Sequence, residues 1–398
     1  MNICFVSHQT EVADGIGVHY YRLSEALVRK GNNVHLVILP AYSDGINVKR
    51  FENGIHIYEY SPEYPNIFHQ RIIGRILQFF KVFDWYYFIH RQKHNSIFIE
   101  NIINKNNIDI LESTNANGLT AYYSRKKTRI PMFVRVSTLG SDVAVYENSG
   151  KTKYERQLNK AEVEIINNAD KLFTHTKSHR DLVCEKLKIS AERFQIIPHG
   201  IKVTDEFCFS NNSELNILYV GTFSKRKGID ILLKAIPIVL KSHNCRFTLV
   251  GNDAENMHEK RFKNLHDNEI CKKVEFCGFV SNQEVERHYK SCDILVAPSL
   301  YESFGQIYLE AMSHGKPVIG CNAGGIPEVI TEGVTGLLAE PSNSTSLAEK
   351  IITLCKDCKL RNQMGKQGFL KAKTSFNIEK IADDTLKDYS NFLQNRYT

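Results

Sequence analysis

Apolar residues along this chain follow two rhythms. Short unbroken runs such as NICFVS (2–7) and NVHLVIL (33–39) are closed off by glycines or polar residues. Runs of this length without alternation predict strands buried on both faces, as in parallel sheets. Between them, YYRLSEALVRKG (20–31) repeats apolar positions at intervals of three and four, the spacing of an amphipathic helix. The same strand, loop, helix, strand unit returns near the middle as LNILYVG, TFSKRKG, IDILLKAIPIVLK and CRFTLVG (215–251). Further strands are predicted at IDILES, PMFVRVS, KLFTHT and RFQIIPHGI in the first half, and at KVEFCGF, DILVAPS and KPVIGC in the second. Two such starts half a chain apart predict an α/β protein of two Rossmann-like, doubly wound domains. The polar stretch 202–214 reads as the linker, 346–369 as one helical segment, and the tail from 376 as a final helix.

Composition narrows this picture little. The chain has 398 residues, 42% hydrophobic and 24% charged, which is ordinary globular usage and enough for two cores. The net charge of +7 is compatible with anionic substrates or an anionic surface. Ten scattered cysteines, many inside apolar runs, read as reduced thiols, and the single CxxC (Cys355, Cys358) has no second pair at zinc spacing. No signal peptide and no membrane-length apolar run is evident, so a cytoplasmic location is expected, at most peripheral to a membrane. Segment 68–94 mixes Arg71, Arg75, Lys81, Arg91 and Lys93 with aromatics including Trp85. It reads as a core helix with solvated charges or, alternatively, as a helix facing an anionic membrane.

In open parallel sheets ligands bind beyond the carboxyl ends of the strands, so the loops there carry the chemistry. After the strand DILVA comes PSLYESFGQ, with a helix expected to begin near Ser303 or Phe304. The first N–H groups of such a helix lack internal partners and Gly305 has no side chain to block approach, an arrangement that suits phosphate. Glu302 stands at the lip, and Glu310 lies further along the helix, where a carboxylate can take two sugar hydroxyls. After ILYVG (217–221), Lys225, Arg226 and Lys227 face the same crevice and can neutralise a departing diphosphate. On composition alone such a run is more often a solvated turn. In DGIGVH, Gly15 and Gly17 form half of a dinucleotide fingerprint, but Tyr20 holds the third glycine position, which disfavours NAD. The chain contains no Asp-x-Asp, no Walker A loop and no nucleophile elbow, so neither a bound metal nor another cofactor is expected.

Taken in order, GTFSKRKG, GFVSNQE, DILVAPSLYESFGQIYLEAMSHGKPVIG, GGIPEVI and GVTGLL resemble the motifs of retaining glycosyltransferases of family GT4. Glu302 and Glu310 match that family's E-x7-E. The resemblance implies the GT-B fold, with an acceptor-side domain at 1–203, a donor domain at 204–375 and a last helix, 376–398, packing back on the first. It implies Lys227 on the donor diphosphate, Glu302 near the donor sugar, Glu310 on the ribose, and Ser303, Phe304 and Gly305 as main-chain contacts. It also implies Val280 against the base, Gly221 among the donor-binding residues, and Gly15 and Gly17 approaching from the opposite side. Thr222 stands where the family often has arginine, so Arg226 is expected to supply that charge. Ser137 and Thr138 stand where it often has histidine.

The implied function is retaining transfer of a sugar from a UDP- or GDP-linked donor to a carbohydrate or lipid-linked acceptor hydroxyl. Cell-surface polysaccharide or glycolipid synthesis is the implied setting, with catalysis by Arg226, Lys227 and Glu302 and no nucleic-acid partner. The alternatives are a nucleotide-sugar 2-epimerase of similar form and a degenerate nucleotide-sugar-binding subunit.

Overall fold

The computed structural model describes residues 1–9, 15–40, 45–63, 83–147, 152–203 and 214–397. The chain divides into two compact units, Met1–Ile197 with Ile381–Thr398, and Pro198–Lys380. The division falls after Ile197 rather than after residue 203, because Ile201 already pairs within the second unit. Its N–H donates to Phe376 O (2.8 Å), and the Ile378 N–H donates back to Ile201 O (3.0 Å). The last helix, Ile378–Tyr397, therefore begins two residues later than the pattern indicated. Of the expected linker, 204–213 lies outside the described residues.

The first unit is built on β1 (Asn2–Ser7), β2 (Asn33–Ile38), β3 (Ile46–Glu52), β4 (Ile55–Ser61), β5 (Ile110–Thr114), β6 (Met132–Arg135), β7 (Lys171–Thr174) and β8 (Phe194–Ile196). Their order across the sheet is β3-β4-β2-β1-β5-β6-β7-β8. All pairs are parallel except β3 with β4. That hairpin was not expected from the apolar runs, since INVKRFE is mostly exposed and polar. Its turn is Asn53-Gly54, both at positive φ (51° and 81°), the dipeptide a tight hairpin demands.

The second unit carries β9 (Leu215–Val220), β10 (Cys245–Val250), β11 (Val274–Gly278), β12 (Ile294–Val296), β13 (Val318–Cys321) and β14 (Gly336–Ala339). The order is β11-β10-β9-β12-β13-β14, parallel throughout. The four residues of β14, GLLA, were too few for the pattern to register.

Two helical expectations change. The segment 346–369 is two helices, Ser344–Lys356 and Cys358–Ser375, because Asp357 adopts an extended backbone and its carboxylate caps the second at Leu360 N–H. Cys355 and Cys358 consequently sit on different helices, one buried and one exposed, and the nine described cysteines are all free thiols. Of segment 68–94, residues 68–82 lie outside the described residues, while 83–94 opens a helix, Phe83–Asn106. Arg91 in it is buried, its guanidinium donating to the carbonyls of Leu39 and Pro40.

Inside the first unit, Arg135 on β6 and Glu112 on β5 form a fully buried ion pair (2.7 Å). Arg135 also donates to Ile197 O (3.1 Å), and the Tyr389 hydroxyl of the last helix donates to Glu112. A buried charge is tolerable when paired and hydrogen-bonded in this way. This network ties the last helix to the sheet of the first unit.

Candidate active site

In the second sheet β9 and β12 are neighbours, with Ile217 opposite Ile294 and Leu218 opposite Leu295. The chain leaves β9 toward β10 on one side and leaves β12 toward β13 on the other. The loops after the two strands therefore part, which opens a crevice at their carboxyl ends. These are the loops that hold Lys227 and Glu302.

Backbone contact joins them at their base. Gly228 is left-handed (φ 72°), and a Cβ there would stand 1.9 Å from Pro298 O. The Leu300 N–H donates to Arg226 O (2.8 Å). Above this contact the side chains converge. Lys227 Nζ lies 2.6 Å from Glu302 Oε1, and Arg226 Nη1 lies 3.4 Å from Oε2 and 3.3 Å from Tyr301 O. Glu302 is 8% exposed. Burial pushes its carboxyl upward, yet the charges of Lys227 and Arg226 outweigh burial and hold it below its ordinary value. One carboxylate against two cations leaves net positive charge at the crevice, the condition for receiving an anion.

The helix that follows is Gln306–Ser313, starting later than Ser303 or Phe304. Gly305 causes the delay: it is left-handed (φ 96°) and turns the chain into the helix, and a Cβ there would meet the Tyr308 ring at 2.6 Å. Ser303 and Phe304 lie in the preceding loop. The Phe304 side chain is core, 5.3 Å from the His199 ring and 5.7 Å from Phe376. Glu310, one turn in, accepts from the Tyr289 hydroxyl (3.0 Å). Gly221 follows β9, its N–H donating to Val250 O (2.9 Å), and its carbonyl occupies the place of a Gly251 Cβ (1.8 Å). Val280 follows β11 and packs, partly buried, on the apolar cluster of that sheet face.

The second unit thus brings Arg226, Lys227 and Glu302 into direct contact, with Gly221, Ser303 and Gly305 in the adjoining loops and Glu310 one turn into the following helix. Gly15 and Gly17 belong to the first unit, at the start of the helix Gly15–Arg29. Sequence reasoning gave no role to Gly228, or to the Gly324-Gly325 pair after β13. The Gly325 N–H donates to Glu302 O (2.8 Å), and a Cβ on Gly324 would press on that oxygen at 2.5 Å. Consecutive glycines shortly after a strand were the available sign. Among the described residues no three His, Cys, Asp or Glu side chains converge as metal ligands.

Comparison with known proteins shows the family. Residues 205–371 match the family model for glycosyl transferases group 1, and residues 13–205 match that for glycosyltransferase family 4. An uncharacterized glycosyltransferase of Methanocaldococcus jannaschii is 31% identical over 346 residues, covering 86% of this chain and 91% of its own. Among solved structures, sucrose-phosphate synthase from Thermosynechococcus elongatus superposes with a TM-score of 0.79 at 20% identity, covering 99% of each chain. Anabaena HepE, solved in complex with UDP-glucose, gives 0.71 at 17% identity, covering 98% of this chain and all of its own. The chain is a GT-B-fold enzyme of the retaining glycosyltransferase family GT4, one that transfers a sugar from a nucleotide-sugar donor.

Proposed function

We propose that the donor is a UDP-sugar, that its diphosphate lies on Lys227, Arg226 and the Gln306 helix terminus, and that the acceptor is a hydroxyl of a carbohydrate or lipid-linked carbohydrate held by the first unit. The observation that carries this reading is the Lys227–Glu302–Arg226 cluster at the point where the strand order reverses. As the bond from the anomeric carbon to the diphosphate breaks, its electron pair goes to the diphosphate oxygen. The cations and the helix N–H groups stabilise that growing charge. The acceptor oxygen bonds to the anomeric carbon on the same face, and its proton passes to the departing phosphate oxygen.

Glu302 orients both cations and receives donor-sugar hydroxyls. Glu310 takes the ribose hydroxyls, and Val280 lies beside the base. Gly15 and Gly17, at the start of the helix Gly15–Arg29, are the first unit's candidate donor-binding residues. Charge neutralisation by side chains, in a chain without Asp-x-Asp, makes the step metal-independent. The choice of UDP is supported by the UDP-glucose complex of HepE. Work at the cytoplasmic face of a membrane, in cell-surface polysaccharide or glycolipid synthesis, fits the basic charge of the chain. Among the described residues no helix is long and apolar enough to cross a membrane.

Thermal denaturation with UDP-, GDP- and ADP-glucose tests the donor. A ligand present at a hundred times its Kd stabilises the folded state by about 2.7 kcal/mol. UDP-glucose alone should raise the melting temperature; a rise with GDP- or ADP-glucose and none with UDP-glucose would overturn the assignment of the base.

A further inference from the structure

We infer that His199 is a positioning residue for the donor diphosphate: as hydrogen-bond acceptor for Gln306 and ring partner of Phe304, it fixes the turn that leads into the helix Gln306–Ser313. This rests on the reading above that the diphosphate lies at that helix terminus.

His199 belongs to the segment 198–203, by which the chain enters the second unit. It is 6% exposed. The Gln306 side-chain amide donates through Nε2 to His199 Nδ1 (2.8 Å). An amide nitrogen only donates, so Nδ1 accepts and the proton of the neutral imidazole sits on Nε2. The same ring lies 5.3 Å from that of Phe304, which meets Phe376 edge-on at 5.7 Å. The side chains on either side of Gly305 are therefore both held by one imidazole.

The turn needs support from outside the helix. Gly305 is left-handed (φ 96°), and no side chain caps the helix start. The Tyr308 N–H donates to Gly305 O (3.2 Å). The N–H groups ahead of it have no acceptor within the helix, which leaves them for a phosphate. Their direction follows the backbone at 304–306, and so depends on what holds residues 304 and 306. A displacement of about 1 Å there would carry several N–H groups out of hydrogen-bond range of a bound phosphate at once.

The imidazole is itself on an anchored segment. Two residues on, the Ile201 N–H donates to Phe376 O (2.8 Å), and Ile201 O accepts from the Ile378 N–H (3.0 Å). A Cβ on Gly200 would stand 2.8 Å from Ile378 Cα, so the two segments meet backbone to backbone. The second of them leads to residue 381, where the chain returns to the first unit. His199 thus ties the phosphate-facing turn to both segments by which the chain passes between units. Coupling of this kind is reciprocal: a diphosphate that fixes the turn also steadies the segment that holds it.

The test compares the full-length wild type with His199→Phe, which keeps a ring and lacks the acceptor, and His199→Asn, whose Oδ1 stands where Nδ1 stood. Gln306→Leu removes the same hydrogen bond from the other side. Calorimetry gives the affinity for UDP, and hydrogen exchange is followed at the Tyr308 and Ile201 amides without ligand and at saturating UDP. His199→Phe and Gln306→Leu should each bind UDP about fivefold more weakly, the effect of one lost hydrogen bond. His199→Asn should stay within about twofold of wild type, and His199→Phe combined with Gln306→Leu should lose no more than either alone. Without ligand, the Tyr308 amide should exchange about threefold faster in His199→Phe and at the wild-type rate in His199→Asn. Saturating UDP should slow exchange at Ile201 in wild type and His199→Asn, and leave it unchanged in His199→Phe. Wild-type affinity in His199→Phe, or equal loss in His199→Phe and His199→Asn, overturns the proposal. If His199→Phe fails to fold, wild-type affinity in Gln306→Leu overturns it instead. A wild-type protein that does not bind UDP would count against the donor reading, and Tyr308 exchange without ligand would then decide whether His199 holds the turn.

Discussion

The two units place charge in opposite ways. In the first, Glu112 and Arg135 face each other in the body of the sheet, sealed by Tyr389 and by the Phe173 ring 5.0 Å from the guanidinium. In the second, Glu302 meets Lys227 and Arg226 at the carboxyl edge, where the loops part. Both are acid–base clusters of low exposure. The first is stoichiometric and closed, so its charge is spent on structure. The second has one cation in excess and borders a crevice, so its field remains available to an anion. Position relative to the strand ends, rather than residue type, separates an ion pair closed within the sheet from one left open to a ligand.

The comparison can be broken most directly at Lys227. Lys227→Ala should lower turnover by about 10²–10³-fold, the usual consequence of losing one transition-state donor. Its denaturation profile should stay close to wild type. Wild-type turnover with the true donor would remove the distinction drawn here. Glu112→Ala should do the reverse. It leaves the Arg135 charge buried and unpaired, which destabilises by about 3–5 kcal/mol. Urea denaturation followed by a first-unit probe measures this, and retained stability would mean the pair is not structural.

Gly305→Ala sharpens the second half of the comparison. It forces a side chain into a left-handed position against Tyr308 and should weaken UDP binding while destabilising by about 1–3 kcal/mol. Calorimetric titration with UDP checks it; unchanged affinity would separate the turn from the donor site. The smallest expected effect concerns acid. Burial favours the neutral form of Glu302, but Lys227 and Arg226 prevail and depress its value. Its contribution to stability is therefore present above the unfolded value and lost only as pH falls through the lower folded one. Replacing Glu302 by glutamine should leave the pH dependence of stability between 6 and 8 unchanged, as a series of melts would show.

Much of the site was legible because its parts are contiguous. The segment SLYESFGQ holds an acid, a turn glycine and a helix start within a few residues, and a strand run precedes it. What escaped notice was contact between distant segments. The role of Gly228 depends on Pro298 O, and that of Gly324 on the Glu302 carbonyl, neither of which is near in sequence. The β3–β4 hairpin escaped for another reason: its edge strand is exposed, so burial imposed no apolar pattern, and only the Asn-Gly turn marked it.

The sequence by itself determined two doubly wound α/β halves and the loops that would carry chemistry, since buried parallel strands require unbroken apolar runs and tight turns require glycine. Tertiary structure alone decided the rest. It set the strand orders that put the loops after β9 and β12 side by side, paired Glu302 with two cations, and turned Glu112 and Arg135 inward. It also buried Glu162, an unremarked acid on an amphipathic helix, against the Gly140 N–H. The physical reason is common to all of these. Propensity and periodicity act over a few residues, whereas burial, charge pairing and backbone approach depend on which segments the sheet order makes neighbours.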